Sequence, residues 1–263
     1  MNRKARVIVL RTAGTNCDNE TCYAFHLAGA EAALVHVNRL FSKQIKMGDY
    51  DILAIPGGFS YGDDVAAGKI LANELKWKLR EDVKKFAGSG KPVIGICNGF
   101  QVLVKLGLLP GFEVIDERQE VTLTWNDSGK FECRWVWLKN KENKCIFTKD
   151  VPALIYLPVA HAEGKFYTGD ETVIKKITDN NQIVFTYVND KGEEPSYPDN
   201  PNGSLGAIAG ITNPAGNVFG LMPHPERFIS KYQHPRWRRE NITDTGDGLK
   251  IFKNAVEFVI SGR

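Results

Sequence analysis

Residues 92–107 read PVIGICNGFQVLVKLG, and this stretch decides the fold. It opens with a short apolar run, turns through Gly95-Ile96-Cys97-Asn98-Gly99, and continues with apolar residues at helical spacing until Gly107. The pattern predicts a buried strand, a sharp turn and a helix. Because a glycine stands two residues to either side of Cys97, the turn can hold the Cys97 side chain out at the end of the strand.

The chain before this stretch alternates strand-like and helix-like segments. Continuous apolar runs predict strands over residues 6–10, 33–37 and 50–55, and helical spacing predicts helices over 18–29 and 68–87. Strands that are apolar throughout are typical of parallel sheets covered on both faces. The sequence therefore predicts an α/β fold, with an open, mostly parallel sheet and helices on both faces.

The second half of the chain has a different pattern, which predicts an antiparallel β extension. Residues 121–138 alternate polar and apolar groups around a turn at 126–129, which is typical of a hairpin. Further segments follow in order: strands at 154–159, 172–177 and 182–188, an exposed loop at 190–204, short strands at 207–211 and 218–222, a charged loop at 229–247 and a helix at 248–260. We interpret residues 1–263 as one domain.

Composition excludes several classes of protein. The 263 residues are 43% hydrophobic and 25% charged, with a formal net charge of +3, so we expect no nucleic-acid or membrane partner. No apolar run approaches the roughly 20 residues that span a bilayer, and the five cysteines form no C-x-x-C pair. We expect a cytoplasmic protein with neither a disulfide framework nor a metal site.

Cys97 is the candidate nucleophile. It lies between a predicted strand and a predicted helix, and the partial positive charge of a helix N-terminus favours a thiolate there. The alternative is an ordinary buried cysteine, the role that we assign to the other four cysteines.

His224 and Glu226, in the segment MPHPER, are the candidate base and its orienting carboxylate. A cysteine nucleophile needs an imidazole, and the imidazole needs a third group to fix its tautomer. The flanking prolines predict an extended backbone, on which residues i and i+2 share a face. The alternative is a surface turn. Among the other histidines, His26 and His36 are expected to be packing or surface groups, and His234 lies in a polar, charged loop.

Backbone N–H donors are needed to stabilise a tetrahedral intermediate at an amide carbon. The turn at Cys97 supplies the amide of Asn98. The glycine-rich turn that begins at Pro56 follows a neighbouring predicted strand, and we favour Gly58 as the second donor. A Gly-Gly turn alone is a weak signal. It becomes more specific here because the same chain contains the turn at Cys97, called the elbow below, and the His-x-Glu segment.

These three elements, PGG, GxCNG and HPER in this order, resemble the class I, triad-type glutamine amidotransferases. The blocks IPGGFSYGDD, GICNGFQVLVKLGLLPG, PVAHAEGKFY, NPNGSLGAIAGITN and GNVFGLMPHPERF resemble in particular the glutaminase subunits of phosphoribosylformylglycinamidine synthases. The resemblance runs from about residue 5 to residue 260 and implies a flavodoxin-like fold. It departs from the family's usual pattern at Ala162, where the family usually has glycine. It also departs at residues 229–247, much of which the shorter subunits lack and which resemble a counterpart in the fused, single-chain synthases.

The resemblance implies that Cys97, His224 and Glu226 form the triad and that Gly58 and Asn98 lie at the oxyanion site. Gln101 matches the position that contacts the substrate amide, and His161 and Glu163 match a loop over the glutamine site. It implies hydrolysis of L-glutamine through a thioester, with ammonia passed to a large synthetase subunit, often with a small bridging subunit. No G-x-x-x-x-G-K-[ST] loop is present, so ATP and Mg²⁺ are expected on the partner, and no cofactor on this chain.

Two other functions fit parts of the pattern. One is another hydrolase with the same triad, such as a γ-glutamyl peptidase, against which the NPNGS and AHAEG blocks argue. The other is a non-catalytic binding subunit that has kept the fold, against which the intact Cys97, His224 and Glu226 argue.

Overall fold

The computed structural model describes residues 3–112 and 119–262. Its main sheet has nine strands, which form a parallel half and an antiparallel half. The parallel half consists of β1 Arg6–Arg11, β2 Glu31–His36, β3 Ile52–Ile55, β4 Val93–Ile96 and β11 Val218–Leu221. The antiparallel half consists of β10 Ile208–Thr212, β9 Ile183–Val188, β6 Glu132–Asn140 and β7 Leu154–His161. The strands lie side by side in the order β2-β1-β3-β4-β11-β10-β9-β6-β7. The prediction of a mostly parallel sheet with an antiparallel extension is confirmed.

Seven α-helices lie within the described ranges. They are α1 Asp18–Leu27, α2 Val37–Phe41, α3 Lys69–Lys78, α4 Arg80–Gly88, α5 Asn98–Leu106, α6 Glu171–Asp179 and α7 Leu249–Ile260. Helix α1 packs beside α7, where the rings of Phe25 and Phe252 meet edge to face at 5.0 Å, and α3 packs beside α5. Strands β3, β4 and β11 are buried along their whole length, as the continuous apolar runs predicted.

The register of the parallel strands brings distant segments to one edge. Ile55 pairs with Gly95, and Ile96 pairs with Leu221, so β3, β4 and β11 end side by side. The segments that follow them begin with Pro56, Cys97 and Met222. The glycine turn, the nucleophile elbow and the histidine segment therefore leave the sheet at the same carboxyl edge.

The predicted hairpin over residues 121–138 is wrong. The turn exists, with the Gly129 N–H donating to the Asn126 carbonyl. Its two arms, however, join different sheets: β5 Thr122–Thr124 pairs with β8 Lys165–Tyr167, whereas β6 pairs with β7 and β9. The Asn126 side-chain amide donates to the Lys130 carbonyl within the turn and also to the carbonyl of His161, the last residue of β7.

The predicted strand at 172–177 and the single helix at 68–87 are also wrong. Residues 171–179 form α6. The Asp170 side chain caps the helix by accepting from the Thr172 N–H, and the side chains of Val173 and Ile177 bury one helical face. In so short a segment as TVIKKI, residues 172–177, the apolar β-branched residues are compatible with the spacing of a strand or of a helix. The long helix is broken between α3 and α4 at Leu79, where φ is −133°.

Residues 229–247 do not form a uniformly solvated loop. The segment contains a 3-10 turn, Lys231–Gln233, and His234 is only 4% exposed. The His234 ring packs 5.3 Å from Trp135, 5.4 Å from Phe228 and 5.7 Å from Tyr156. This aromatic contact anchors the segment to the antiparallel half of the sheet. Among the helices of residues 3–112 and 119–262, none has both the length and the apolarity that a membrane crossing needs.

Candidate active site at the carboxyl edge of the sheet

Cys97 occupies a strained elbow between β4 and α5. Its φ and ψ are 51° and −106°, a conformation that L-residues rarely adopt. The two glycines predicted to allow this turn are both required: a Cβ on Gly99 would lie 1.8 Å from the Ile55 carbonyl oxygen, and one on Gly95 would lie 2.5 Å from the Gly99 carbonyl oxygen. The sulfur is buried and lies 3.7 Å from the Ala160 carbonyl oxygen.

His224 is oriented by Glu226. Nδ1 of His224 donates to Oε1 of Glu226 at 2.6 Å, which leaves the second ring nitrogen, Nε2, as the reactive one. The His224 backbone is fixed by its own N–H, which donates to the Pro158 carbonyl at 2.8 Å. The predicted contact is present, but its predicted cause is wrong. His224 has an extended backbone, but Pro225–Arg227 form a 3-10 turn.

The charged groups around His224 favour the imidazolium form of its ring. Burial opposes that form, but the Glu226 carboxylate and then the Cys97 sulfur raise the pKa of His224 well above its ordinary value. Within the described residues, the buried Nε2 of His224 has no hydrogen-bond partner at normal distance. The arrangement can transfer a proton between a sulfur nucleophile and a leaving group.

Cys17 is a second cysteine at the base, and sequence analysis assigned it an ordinary buried role. Its sulfur lies 4.0 Å from Nδ1 of His224 and accepts a hydrogen bond from Nη2 of Arg227 at 3.1 Å. Gly57 allows this packing, since a Cβ there would lie 2.7 Å from Cε1 of His224. The available signal was its place shortly after β1, a strand that ends at the same edge of the sheet as β3.

Gly58 and Asn98, the predicted oxyanion donors, flank the nucleophile in different ways. Gly58 has a φ of +139°, and a Cβ on it would lie 2.7 Å from both Asn16 N and Gly14 O, so glycine is required. It lines a cavity together with Cys97. Asn98 begins α5, and its buried side-chain amide donates to Oε1 of Gln101 at 3.0 Å.

The cavity beside Cys97 collects the predicted substrate residues. It measures about 40 Å³, and its lining includes Gln101, His161 and Glu163, besides Ala162. Gln101 is oriented by its Nε2, which donates to the Glu163 carbonyl at 2.6 Å. The sequence blocks around residues 58, 97 and 161 thus meet around one narrow space.

His161 is held neutral at this cavity. Its Nδ1 donates to Oδ1 of Asn126 at 3.2 Å, which makes its buried Nε2 an acceptor. Burial, with a contribution from His224, lowers the pKa of His161 to about 3. Asn126 also donates to the His161 carbonyl and accepts from the Gly164 N–H, so this one side chain fixes the loop.

Part of the predicted exposed loop at 190–204 forms hydrogen bonds with residues 164–166, which follow the cavity residues His161 and Glu163. Asn202 is fully buried and donates to the Gly164 carbonyl at 2.8 Å, and Ser204 accepts from the Phe166 N–H at 3.0 Å. The prediction of exposure is therefore wrong for these two residues. Their side chains satisfy backbone groups that the cavity loop leaves unpaired.

Cys17, His224 and Glu226 have the donor types that zinc prefers, and the three ligand atoms lie within 4.8 Å of one another. The His224–Glu226 hydrogen bond and the Arg227 guanidinium already engage these atoms. A cation would have to displace that bond and tolerate the positive charge of Arg227. The geometry therefore suits a proton-transfer triad better than a metal centre.

Comparison with known proteins places this geometry in a family. The family model for the CobB/CobQ-like glutamine amidotransferase domain matches residues 4–259. A protein named phosphoribosylformylglycinamidine synthase subunit PurQ from Dehalococcoides mccartyi is 51% identical over 97% of this chain and 98% of its own length. A protein of the same name from Archaeoglobus fulgidus is 47% identical over 97% of each chain.

Solved structures agree with the sequence relatives. A chain in the structure of PurLQS from Thermotoga maritima superposes with a TM-score of 0.75, at 33% identity, over 97% of this chain and 99% of its own. A glutamine amidotransferase from the same organism has a TM-score of 0.58 at 15% identity, over 98% of this chain and 99% of its own, and so shares the fold. With residues 4–259 matched by the family model and 97% of its length aligned with these relatives, the chain belongs to the CobB/CobQ-like glutamine amidotransferase family.

Proposed function

We propose that this chain is the glutaminase subunit of a phosphoribosylformylglycinamidine synthase. It would hydrolyse L-glutamine and deliver ammonia for the conversion of formylglycinamide ribonucleotide to formylglycinamidine ribonucleotide in purine biosynthesis. The observation that carries the proposal is the meeting of three distant segments: Cys97, His224 and the Gly58 turn follow three adjacent strands at one sheet edge. The similarity to subunits named PurQ supports the choice of this synthase.

The chemistry follows from the positions of the side chains. The Cys97 sulfur attacks the δ-carboxamide carbon, and the amides of Gly58 and Asn98 stabilise the oxyanion. His224 protonates the departing nitrogen as the C–N bond breaks, which leaves a γ-glutamyl thioester. A water molecule, deprotonated by His224, then attacks the thioester, the C–S bond breaks, and glutamate leaves. Glu226 holds the ring in the required tautomer throughout.

The complete reaction needs a partner. Amidine formation requires an oxygen leaving group activated by ATP, and we assign ATP and Mg²⁺ to a large synthetase subunit, with a small bridging subunit beside it. Free ammonia would be protonated and lost in bulk water, so direct transfer between subunits follows. All five cysteines are free, which supports a reducing, cytoplasmic setting for the complex.

Residues 229–247 are proposed to contact that partner. His234 anchors the segment inward, while Tyr232 and Trp237 pack against each other on the outside, 66% and 36% exposed. Replacing both Tyr232 and Trp237 with alanine removes the outer pair and spares the anchor. Weaker complex formation with unchanged thermal unfolding supports this contact, and unchanged complex formation contradicts it.

The function is tested by a glutaminase assay of the wild type and of Cys97→Ala, each with and without the synthetase subunit. We expect low turnover from the free wild-type chain, stimulation in the complex, and no turnover by the variant. The variant complex should still use added ammonia, because the synthetase site is intact. Equal wild-type turnover with and without the partner would contradict the proposed coupling.

A further inference from the structure

Acidic groups at the cavity beside Cys97 provide a feature that the triad mechanism does not use. Asp63 and Glu163 both line this space, together with His161, whose Nε2 can only accept a hydrogen bond. Among the described residues that line the cavity, none is a lysine or an arginine. The cavity therefore presents carboxylate and imidazole acceptors to whatever occupies it, which suits a ligand rich in N–H groups.

Asp63 is held in place by the nucleophile's own neighbour. Its Oδ1 accepts from Nδ2 of Asn98 and from the N–H of Gly68, both at 3.1 Å. Its backbone φ is 54°, in the left-handed region that few non-glycine residues adopt. Both hydrogen bonds use Oδ1, so Oδ2 can receive another donor. Glu163 is anchored in a similar way, with Oε2 accepting from the Ala67 N–H at 3.3 Å.

The two carboxylates oppose each other electrostatically. Burial raises the pKa of Asp63, and the negative charge of Glu163 raises it further, against the hydrogen bonds from Gly68 and Asn98. Lys105, whose Nζ donates to the Ala67 carbonyl at 2.7 Å, attracts both carboxylates but is not part of the cavity lining. A cation in the cavity would relieve this repulsion.

We propose that Asp63 and Glu163 together form the subsite for the α-ammonium group of the glutamine substrate. This inference rests on the proposed glutaminase function and deepens it, since it assigns Asp63 a specificity role. The α-ammonium is the one cationic group of glutamine, and it is the group that the carboxylates of this cavity would bind when the carboxamide carbon lies at Cys97. The half-buried carboxylates of Asp63 and Glu163 then favour glutamine over compounds that have its carboxamide but lack its α-amino group.

Asp63 could instead serve only to fix the loop between β3 and α3. The two roles separate in Asp63→Asn, because asparagine keeps the Oδ1 acceptor for Gly68 and Asn98 but loses the negative charge. Glu163→Gln does the same at the second position. Asp64→Asn is the matched control, since Asp64 is adjacent, exposed and outside the cavity lining.

The experiment compares L-glutamine with glutaramate, which is glutamine without its α-amino group, as substrates of the complex with the synthetase subunit. For Asp63→Asn we expect kcat/KM for glutamine to fall about 10- to 100-fold, mainly through KM, with little change for glutaramate. Glu163→Gln should change the preference in the same direction, and Asp64→Asn should preserve it. Thermal unfolding midpoints identify any variant that has lost its fold.

Equal losses on both substrates in folded Asp63→Asn and Glu163→Gln, or an unchanged preference, would overturn this subsite while leaving the glutaminase function standing. A wild-type complex that hydrolyses neither substrate would overturn the proposed function and the subsite together. Loss of preference for glutamine in both folded variants, with the control unaffected, supports the assignment.

Discussion

The sulfur of Cys17 lies 4.0 Å from Nδ1 of His224, on the nitrogen that also donates to Glu226. Cys17 therefore lies beside the same ring nitrogen of His224 that Glu226 engages. Cys97 is a second sulfur near the ring, and it raises the pKa of His224. Burial raises the pKa of Cys17, although its hydrogen bond to His224 opposes the shift. The raised pKa favours the thiol form of Cys17, so we expect this residue to pack against the base and not to act as a nucleophile.

A glutamine-mimicking electrophile should separate the two cysteines. We expect one alkyl group per chain, on Cys97, because the thiolate is the reactive form and Cys17 is kept as a thiol. Peptide mass spectrometry locates the label. The Cys97→Ser variant should stay unlabelled under the same conditions. Modification of Cys17 in that variant would show that the second thiol is more reactive than its surroundings suggest.

Removing the nucleophile should cost activity but not stability. Cys97→Ala should lower glutamine-dependent turnover by at least about 10³-fold, since the thioester can no longer form. Cys97→Gly should be equally inactive but more stable than Cys97→Ala by about 1 kcal/mol, because glycine adopts the φ of 51° without strain. Denaturant unfolding of the two variants measures this difference. Equal stability would indicate that the elbow carries little strain.

Replacing Glu226 with glutamine should shift the pH dependence of catalysis. Glu226 favours the imidazolium of His224, which must protonate the departing ammonia. As pH rises through the pKa of His224 that proton is lost, so the variant, with a lower pKa, should lose activity at a lower pH. We expect kcat/KM to fall about 10²- to 10⁴-fold and its alkaline limb to move down. A reduced rate with an unmoved limb would assign Glu226 a purely geometric role.

His161 should make the folded chain sensitive to acid. Its pKa is about 3 in the folded state and 6.5 ordinarily, so below pH 6.5 only the unfolded chain takes up this proton. Stability therefore falls as pH decreases from 6.5 toward 3, by up to about 1.4 kcal/mol per pH unit, and is unaffected by this group above 6.5. His161→Gln should flatten that slope in denaturant unfolding.

Replacement of the exposed His26 with glutamine is the control for that experiment. It should leave the slope between pH 6.5 and 4 unchanged. The same slope in the wild type and in His161→Gln would mean that the imidazole of residue 161 is protonated in the folded chain.

The parallel half of the sheet could be predicted from sequence because its strands are continuous apolar runs that must be buried on both faces. The antiparallel half could not be predicted as well. Thr122–Thr124 and Glu132–Asn140 have the alternation of a hairpin, but each pairs with a partner supplied by a different part of the chain. Residues 171–179 contain a short β-branched run, and the cap at Asp170 determines that they form a helix. Local periodicity does not specify which partner a strand finds.

The sequence by itself determined the elbow at Cys97 and pointed to His224 and Glu226, because glycine spacing and residue chemistry are local properties. The 3-10 turn that brings Glu226 to His224 did not follow from the proline flanks. Only the tertiary structure decided that Cys17 packs against the base, that Asn126 and Asn202 hold the cavity loop, and that Asp63 and Glu163 line the same cavity. Those contacts join residues tens of positions or more apart, and their geometry depends on strand register and on which loops meet at the edge of the sheet.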